Sequence, residues 1–428
     1  MKISIISNLY PPHVLGGYEL GCAEIAERVA QAGHEVEVLT SRVVGRLHRL
    51  HEPVGTARIK RIFAALFEYE KQPALHTSPE WHTRYERAQA GTIPANVSAL
   101  LEQWKAFRPD VVWAFNIVGL GTLGILECLA YAGYPTVIHH MDFLDVPLGA
   151  HQAPPGRVAR AKARLTAISC SEFTREKNEE LGGYGKHLVI PNGIQFPTTT
   201  PSSVPPRERD DGIFSFICFG QITQEKGIVE LLTAFQHLLS IRPGRKIHLT
   251  IQGPCHSPPF LDSLRARILR DGLSDAVTLA GPVPKEELLA SLSRYDAAVM
   301  LLNTHEAFGY APLEASAAGL PVIFPRNSGV GSFLPEGDPL LLRERDNARS
   351  TAETMARCVD HPAWAADHAQ RQREVLVQVC DLEKAVLPAY LDVLRSLTPS
   401  PPVRHLEAAL LTNARMVEDH QIWQSAAA

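Results

Sequence analysis

Residues 2–40 read "KISIISNLYPPHVLGGYELGCAEIAERVAQAGHEVEVLT" and place a helical pattern between two short apolar runs. The runs at 2–7 and 35–40 are rich in Ile and Val, which favour strands. Between them, apolar residues from Leu20 to Ala30 recur on one helical face, and Gly33 fits the left-handed position that ends many helices. This order predicts a strand–helix–strand unit of a parallel sheet.

The alternation of short apolar runs with helical patterns continues beyond residue 40 and restarts after residue 212. It runs from "IFSFICF" (213–219) to "PVIFP" (321–325) in the second half. We therefore predict an α/β protein with two doubly wound, Rossmann-like domains, whose ligands bind in a cleft between the carboxyl ends of the two sheets. Further strands of the first half are predicted at Val111–Phe115, Thr136–His140, Leu165–Ser169 and His187–Ile190.

The domain boundary is predicted at residues 197–212, "PTTTPSSVPPRERDDG", which hold four prolines and no apolar periodicity. This linker separates a first domain at 1–196 from a second at 213–362. Residues 363–397 are predicted to be helices that return to the first domain. Residues 398–428 form a tail to which no role is assigned.

Composition excludes several classes of protein. The chain has 42 Lys and Arg against 46 Asp and Glu, a net charge of −4, so nucleic acid is not an expected partner. Its seven cysteines are scattered singly, which argues against a disulfide framework or structural zinc and for a reducing, cytoplasmic compartment. The first apolar run is too short for a signal peptide, and no uncharged stretch is long enough to span a membrane.

The loop "SNLYPPHVLGGYE" (7–19) is the first that suits a phosphate or a sugar. Gly16 and Gly17 precede a helix and allow a ligand to approach backbone N–H groups. A plain turn is the alternative. The glycine spacing is not a dinucleotide fingerprint and a Walker A loop is missing, so an NAD-dependent dehydrogenase is disfavoured.

The loop "FGQITQEKG" (219–227) is the second loop that suits a phosphate. Gly220 ends a buried strand, and Lys226 stands at the start of the next helix. A cation there opposes the positive end of the helix dipole, at a cost of roughly a few tenths of a kcal/mol that a bound diphosphate would reverse. A solvated lysine on the helix shoulder is the alternative.

The segment "HEAFGYAPLEASAAGLPVIFP" (305–325) is the third candidate for ligand binding. Pro312 fits a first helical turn and Gly319 the position after a helix, which predicts a short helix over 311–318. Free N–H groups at its start would form an anion site. Glu306 precedes the helix and Glu314 lies about one turn inside it, so the two would stand at opposite ends of an extended ligand. Plain surface roles for both are the alternative.

The segment "PTVIHHMDFLD" (135–145) ends a predicted strand with His139, His140 and Asp142 facing the expected cleft. A histidine near an aspartate suits a base or a group that orients a substrate. Histidines at strand ends are also common as plain hydrogen-bonding residues. No Asp-x-Asp motif occurs in the sequence, so metal dependence is not indicated.

In this order, the motifs resemble those of the retaining group 1 (family 4 type) glycosyltransferases, which have the GT-B fold. The resemblance runs from residue 1 to about 395 and includes the seven residues between Glu306 and Glu314. It also includes four further motifs, "RPDVVWAFN" (108–116), "TAISCSEFTRE" (166–176), "VIPNGI" (189–194) and "VTLAGPVPKEEL" (277–288).

The resemblance implies that the second domain holds a nucleotide-diphosphate sugar as co-substrate, without a cofactor, and that the first domain holds the acceptor. The leaving diphosphate would be stabilised by positioning and electrostatics. The implied donor-site residues are Lys226 at the diphosphate, Glu306 at the sugar hydroxyls, Phe308, Gly309 and Tyr310 at the sugar or phosphate, Glu314 at the ribose, and Gly220 with Gln221. The resemblance places Gly16 and Gly17 at the reaction centre. The catalytic candidates are Lys226, Glu306, His140 and Asp142.

Some positions depart from the family pattern. Gln221 stands where the family usually has an Arg that partners the lysine, and the loss of a charge-assisted contact costs on the order of 1.5 to 3 kcal/mol. The family histidine would fall on Met141, so His140 is either a shifted substitute or unrelated. "NSGVGSF" (327–333) replaces the usual Gly-Gly and acidic residue, and Gln195 replaces an acid. These departures bear on donor choice and on activity.

Residues 42–61 contain six Lys or Arg and the single acid Glu52. This stretch fits an anionic acceptor or peripheral contact with the inner face of an anionic membrane, as in family members that act on lipid-linked acceptors. A solvated basic loop is the alternative. The expected acceptor is a sugar, a lipid-linked molecule or another small molecule.

Two other functions fit the same architecture. A sugar-nucleotide epimerase would release an isomerised donor with no acceptor present. A non-catalytic nucleotide-sugar-binding paralogue would bind without turnover, and Gln221 favours this alternative. Turnover distinguishes both from a glycosyltransferase that retains the anomeric configuration.

Overall fold

The computed structural model describes residues 1–14, 17–42, 48–49, 55–64, 90–150, 153–197, 212–303, 306–342, 348–399, 401–402 and 406. It divides the chain into two compact units, one formed by Met1–Asn192 with Leu387–Ala428 and the other by Gly193–Val386. The predicted linker 197–212 and the predicted tail 398–428 lie mostly outside the described residues.

The first unit contains the predicted parallel sheet. Its described strands run in the order β5-β3-β1-β6-β7-β8-β9, and β1 lies between β3 and β6, with Ile5 opposite both Val38 and Trp113. The central strands are buried on both faces, as apolar runs require. The described strands are β1 Lys2–Ser7, β2 His13–Val14, β3 Glu35–Arg42, β4 His48–Arg49, β5 Arg58–Ala64, β6 Val111–Asn116, β7 Thr136–His140, β8 Thr166–Ser169 and β9 Lys186–Val189, with β2 and β4 forming a separate antiparallel pair.

Helices cover this sheet with the faces that the sequence pattern indicates. The first helix buries Cys22, Ile25, Ala26 and Val29. Trp104 on the second helix is also buried, and its indole N–H donates to Ser4 Oγ on β1 at 3.2 Å. The described helices are α1 Gly17–Gln31, α2 Pro94–Phe107, α3 Thr122–Tyr131, α4 Asp145–Ala150, α5 Pro155–Lys162 and α6 Glu172–Lys177.

Residues 58–64 form the edge strand β5, so the last part of the basic stretch 42–61 is a strand and not the solvated loop that was the alternative. Lys60 Nζ lies 2.7 Å from the carboxylate of Glu37 on β3, and that carboxylate is fully buried. Arg58 pairs with Glu35 on the same strand. Cross-strand ion pairs therefore replace the apolar alternation that would have identified this strand.

The second unit repeats the plan with a parallel sheet in the described order β12-β11-β10-β13-β14-β15. Its described strands are β10 Phe214–Phe219, β11 Ile247–Gln252, β12 Val277–Gly281, β13 Ala297–Val299, β14 Val322–Pro325 and β15 Leu341–Leu342. Its described helices are α7 Ile228–Ile241, α8 Pro258–Arg270, α9 Lys285–Ser291, α10 Tyr310–Ala317, α11 Ala348–Asp360 and α12 Pro362–Cys380, with 3₁₀ turns at Leu292–Arg294 and Val330–Phe333.

The C-terminal helices divide between the two units, whereas the sequence predicted that all of 363–397 returns to the first. The side chain of Gln372 on α12 hydrogen-bonds both the N–H and the carbonyl of Val322 on β14, so α12 stays with the second unit. A π-helical turn at Leu382–Val386 follows, and only α13, Leu387–Ser396, belongs to the first unit. There the buried Tyr390 donates to the carbonyl of Pro191 at 3.2 Å.

A substitution at Gly253 tests the close approach of two loops of the second sheet. Its φ is +149°, and a Cβ at this position would lie 1.8 Å from the carbonyl oxygen of Gly220. We expect Gly253→Ala to destabilise the second unit by roughly 2 to 3 kcal/mol and to lower its Tm by several degrees.

Gly244→Ala is the matched control for this substitution, because Gly244 also has a positive φ of +82° but no atom within 4 Å of the added Cβ. We expect a smaller loss of about 1 kcal/mol from backbone strain alone. Thermal unfolding followed by circular dichroism compares the two variants. Equal losses would show that the close approach of Gly253 to Gly220 carries no stability.

Candidate functional site

The loops after β10 and β13 are joined at the carboxyl edge of the second sheet, where these strands are neighbours. The backbone N–H of Asn303 donates to the carbonyl of Glu225 at 2.8 Å, and its Nδ2 donates to the carbonyl of Gln224 at 2.9 Å. Gly227 lies against Leu301, and a Cβ on Gly227 would be 2.8 Å from Leu301 Cβ. These contacts set the start of α7 beside the segment that follows β13.

The loop after β14 supports the other side of that segment. The N–H of Gly329 donates to the carbonyl of Glu306 at 3.2 Å, and the N–H of Val330 donates to the carbonyl of Phe308 at 2.8 Å. A Cβ on Gly329 would lie 2.1 Å from the carbonyl oxygen of Ala307. Residues 306–308 are therefore held by backbone contacts that leave no room for a side chain at 329.

Lys226 and Glu306 meet across the joined loops. Lys226 Nζ lies 2.5 Å from Glu306 Oε1, and the two side chains are 36% and 24% exposed. Lys226 immediately precedes Gly227, the N-cap of α7, as the sequence pattern predicted. The pair is thus partly covered by protein and still open to a solute.

The predicted helix after Glu306 is present as α10. Gly309 is its N-cap, with φ +103° and no side-chain capping bond, so the first-turn N–H groups receive no capping bond from that residue. Phe308 is buried against the ring of Tyr310, with ring centroids 5.8 Å apart. Backbone N–H groups and a helix dipole at this point suit an anion.

Glu314 lies in the second turn of α10 and forms an ion pair with a second lysine. Glu314 Oε1 is 2.8 Å from Nζ of Lys285, the first residue of α9, and the two side chains are 11% and 53% exposed. Lys285 is not among the site residues predicted from the sequence. A cation at the start of a helix, the kind of feature that indicated Lys226, would have indicated it.

Gly220 and Gln221 bound the site on the β10 side. Gly220 has φ +126°, and its N–H donates to the carbonyl of Gln252 at 3.1 Å. Gln221, where the family pattern has an arginine, is exposed. The structure therefore brings the predicted donor residues of β10, β13 and α10 to one edge of one sheet.

In the first unit, Gly17 is exposed and begins α1, while Gly16 lies outside the described residues. The hydroxyl of Tyr18, next in the chain, points at the carbonyls of Phe115 and His139, which end β6 and β7. The start of α1 is thereby anchored at the carboxyl edge of the first sheet, the location expected for the glycine loop.

The two histidines that end β7 are buried, in contrast to the prediction that they face an open cleft. His140 is 3% exposed, and its Nε2 is 2.8 Å from the hydroxyl of Tyr184. Burial lowers the pKa of His140 well below its usual range, with His187 and Lys162 adding to the effect. Burial likewise lowers the pKa of His139 to about 3. Both rings are neutral near pH 7.

Asp142 is exposed, whereas the two histidines with which it was grouped are buried. Its Oδ1 accepts from the N–H of Phe143 at 2.8 Å. The buried Asn178 fixes the same loop, since its Nδ2 donates to the carbonyl of Asp142 at 2.9 Å and its Oδ1 accepts from the N–H of Leu144 at 2.5 Å. The loop is rigidly placed and presents one carboxylate.

Among the residues that the structure describes, no group of three or more His, Cys, Asp or Glu side chains is arranged to hold a metal ion. No helix there is long and apolar enough to cross a membrane.

Two family models match the chain, one on each half. The model described as Glycosyltransferase Family 4 matches residues 15–196. The model described as Glycosyl transferases group 1 matches residues 204–375. Together they cover both predicted domains.

Known proteins match over most of their length. Glycogen synthase of Mycobacterium tuberculosis is 26% identical over 437 aligned positions, 96% of this chain and 99% of the relative. D-inositol 3-phosphate glycosyltransferase of Pseudarthrobacter chlorophenolicus is 26% identical over 372 positions, 82% and 84% of the two chains. The solved structure of Anabaena HepE in complex with UDP has a TM-score of 0.68 at 18% identity and covers 93% of this chain and 100% of its own. This likeness shows a shared GT-B fold.

The buried state of His139 predicts a pH dependence of stability. Because its pKa is lowered on folding, the unfolded chain binds the proton first, so the stabilisation is full above about pH 6.5 and is lost as the pH falls toward about 3. Between about pH 7.5 and about pH 5, His139 alone should cost about 2 kcal/mol of unfolding free energy.

His139→Phe provides the comparison, since a phenyl ring can pack among Trp113, Phe115 and Tyr390 without titrating. Denaturant unfolding at several pH values should give a shallower acid-side slope for this variant than for wild type. Parallel slopes in the two proteins would contradict the assignment of the pH dependence to His139.

Proposed function

Because this chain belongs to the group 1 (family 4 type) glycosyltransferases and has the GT-B fold, we propose that it transfers a hexosyl group from a nucleotide-diphosphate sugar to an acceptor, with retention of the anomeric configuration and without a metal. Glycosyl transfer follows from the family, whereas the retained configuration and metal independence are our proposals. The observation that carries the assignment is the Lys226–Glu306 pair, 2.5 Å apart, beside the start of α10.

Lys226 would bind the donor diphosphate. A lysine ammonium has three N–H donors, so it can keep its bond to Glu306 while it donates to a phosphate oxygen. As the leaving diphosphate gains charge, the ammonium and the first-turn N–H groups of α10 would stabilise it from fixed positions. The loops that carry these groups are already held by backbone contacts.

The carboxylates of Glu306 and Glu314 would recognise the sugar and the ribose of the donor. An ionised carboxylate only accepts hydrogen bonds, which suits hydroxyl groups. Glu306 would accept from the hydroxyls of the transferred sugar and Glu314 from the ribose. The backbone from Phe308 to Tyr310 would contact the sugar or a phosphate, and Gly220 with Gln221 would complete the site.

Gly17 and Asp142 are the proposed acceptor-side contacts, since both are exposed at the carboxyl edge of the first sheet. We do not assign His140 as a base, because its Nε2 is already bonded to Tyr184 and its ring is buried and neutral. The relatives named glycogen synthase and D-inositol 3-phosphate glycosyltransferase favour an acceptor rich in hydroxyl groups.

A cytoplasmic location with peripheral contact at an anionic membrane is also part of the proposal. Arg58 and Lys60 are already paired with Glu35 and Glu37, so part of the positive charge of residues 42–61 is neutralised within the unit. Sedimentation with anionic vesicles at low salt tests this contact directly.

Nucleotide binding is the first test of the function. We expect one of UDP, GDP, ADP, TDP and CMP to raise the Tm, because saturation at about 100 times Kd adds roughly 2.7 kcal/mol to stability. UDP is the first choice, since HepE was solved with it. Glu314→Ala should abolish the shift, and Glu176→Ala, an exposed glutamate of the first unit, should keep it. If no nucleotide shifts wild type, donor binding is refuted.

Turnover and its stereochemistry are the second test. With the nucleotide identified, product formation is followed by NMR using its sugar donors with glucan and inositol phosphate acceptors. Lys226→Ala should lower kcat/KM at least about a hundredfold. The product should have the same anomeric configuration as the donor, and an inverted product would overturn the retaining assignment.

A non-catalytic nucleotide-sugar-binding protein is the second candidate function, and Gln221 is the observation that favours it. One fewer cation at the diphosphate weakens stabilisation of the leaving group. Nucleotide binding without any turnover would favour this candidate, and turnover with an acceptor would exclude it.

A further inference from the structure

Lys285 lies at the donor site but has no role in the function proposed above. It is the first residue of α9, which follows β12 at the carboxyl edge of the second sheet. Its Nζ is 2.8 Å from Oε1 of Glu314, on a different helix. Glu314 is 11% exposed while Lys285 is 53% exposed, so a flexible surface side chain reaches a mostly covered carboxylate.

The position of Lys285 in its own helix is unfavourable without that carboxylate. Positive charge at the first helical position opposes the helix dipole, and the next two residues, Glu286 and Glu287, are the acids that such a position favours. A partner outside the helix accounts for the lysine. Glu314 is that partner. It lies on α10, and the start of α10 forms the proposed phosphate site.

We propose that Lys285 is a positioning residue for recognition of the donor ribose. By donating to Oε1, it holds the Glu314 carboxylate in one orientation, so that the remaining acceptor positions meet the ribose hydroxyls. An ionised carboxylate offers about four acceptor positions, so the lysine and two hydroxyls can share it. The inference rests on the proposed function, since it requires Glu314 to contact a ribose.

The alternative to positioning is competition, in which a lysine bound to a carboxylate takes the place of a ribose hydroxyl. The two effects have opposite signs. A positioning lysine strengthens nucleotide binding and the preference for a ribose, whereas a competing lysine weakens both. The geometry favours positioning, because the lysine contacts Oε1 at 2.8 Å and a carboxylate accepts hydrogen bonds on both of its oxygens.

Calorimetric titration of the full chain tests the sign. UDP, GDP and ADP are each compared with the 2′-deoxy form, and wild type should prefer the ribose form of the nucleotide that it binds. Lys285→Met should bind that nucleotide roughly three- to tenfold more weakly and the deoxy form nearly as well as wild type does. The preference for the ribose should therefore collapse, while Lys285→Arg retains most of it.

Lys177→Met is the matched control, because Lys177 also forms a partly exposed ion pair, with Glu180 at 2.6 Å, but lies in the first unit. It should leave both affinities unchanged. In a Glu314→Gln background, Lys285→Met should cause no further loss, since the group that the lysine positions is already altered.

The possible failures are distinct. Wild type that binds none of the nucleotides refutes the proposed function and this role together. Wild type that binds but does not prefer the ribose refutes the contact of Glu314 with the ribose together with the role of Lys285, and leaves nucleotide binding standing. Lys285→Met with an unchanged preference refutes only the role of Lys285. Tighter binding by Lys285→Met would show competition and would overturn positioning.

Discussion

The close backbone contacts between loops at the carboxyl edge of the second sheet are the constraint on which the rest of the site depends. Gly253 and Gly220, Gly227 and Leu301, and Gly329 and Ala307 approach within distances that exclude a Cβ. Since the loops meet through backbone, side chains from sequence positions 80 residues apart, Lys226 and Glu306, are brought to 2.5 Å. A side chain at any of these glycines would separate the groups that the proposed chemistry needs together.

Charge at this edge is arranged in two matched pairs. Lys226 with Glu306 and Lys285 with Glu314 each join a helix-start lysine to a carboxylate of the β13–α10 segment. The paired lysines offset the negative charge that both glutamates would otherwise present to an approaching diphosphate. The helix N–H groups at Gly309 and Tyr310 then add attraction for the anion. In the proposed function, this arrangement would let one ligand present both its hydroxyls and its phosphates to the same edge of the sheet.

The first unit reaches rigidity by a different route, through buried polar groups. Lys162 and Asp145 are both fully buried and lie 2.5 Å apart, and Lys162 also donates to the carbonyl of Asn178. Asn178 in turn holds the backbone that carries Asp142. Breaking a buried pair is costly because it leaves an uncompensated charge, so this network fixes one loop conformation after β7. The exposed carboxylate of Asp142 is thereby presented from a rigid base.

Local sequence determined the elements and the loops that matter. Three predicted features appear in the structure within a residue or two: the strand–helix–strand pattern at 2–40, the strand at Thr136–His140 and the helix between Pro312 and Gly319. They could be predicted because periodicity and capping depend on residues that are close together in the sequence. Lys226 was also recognisable, since an unfavourable charge at a helix start is a local feature. Only the tertiary structure decided that His139 and His140 are buried, that cations on β5 pair with Glu35 and Glu37, and that Lys285 meets Glu314. These outcomes depend on strand order and on which helices cover each face, and such long-range contacts leave no periodic trace in the chain.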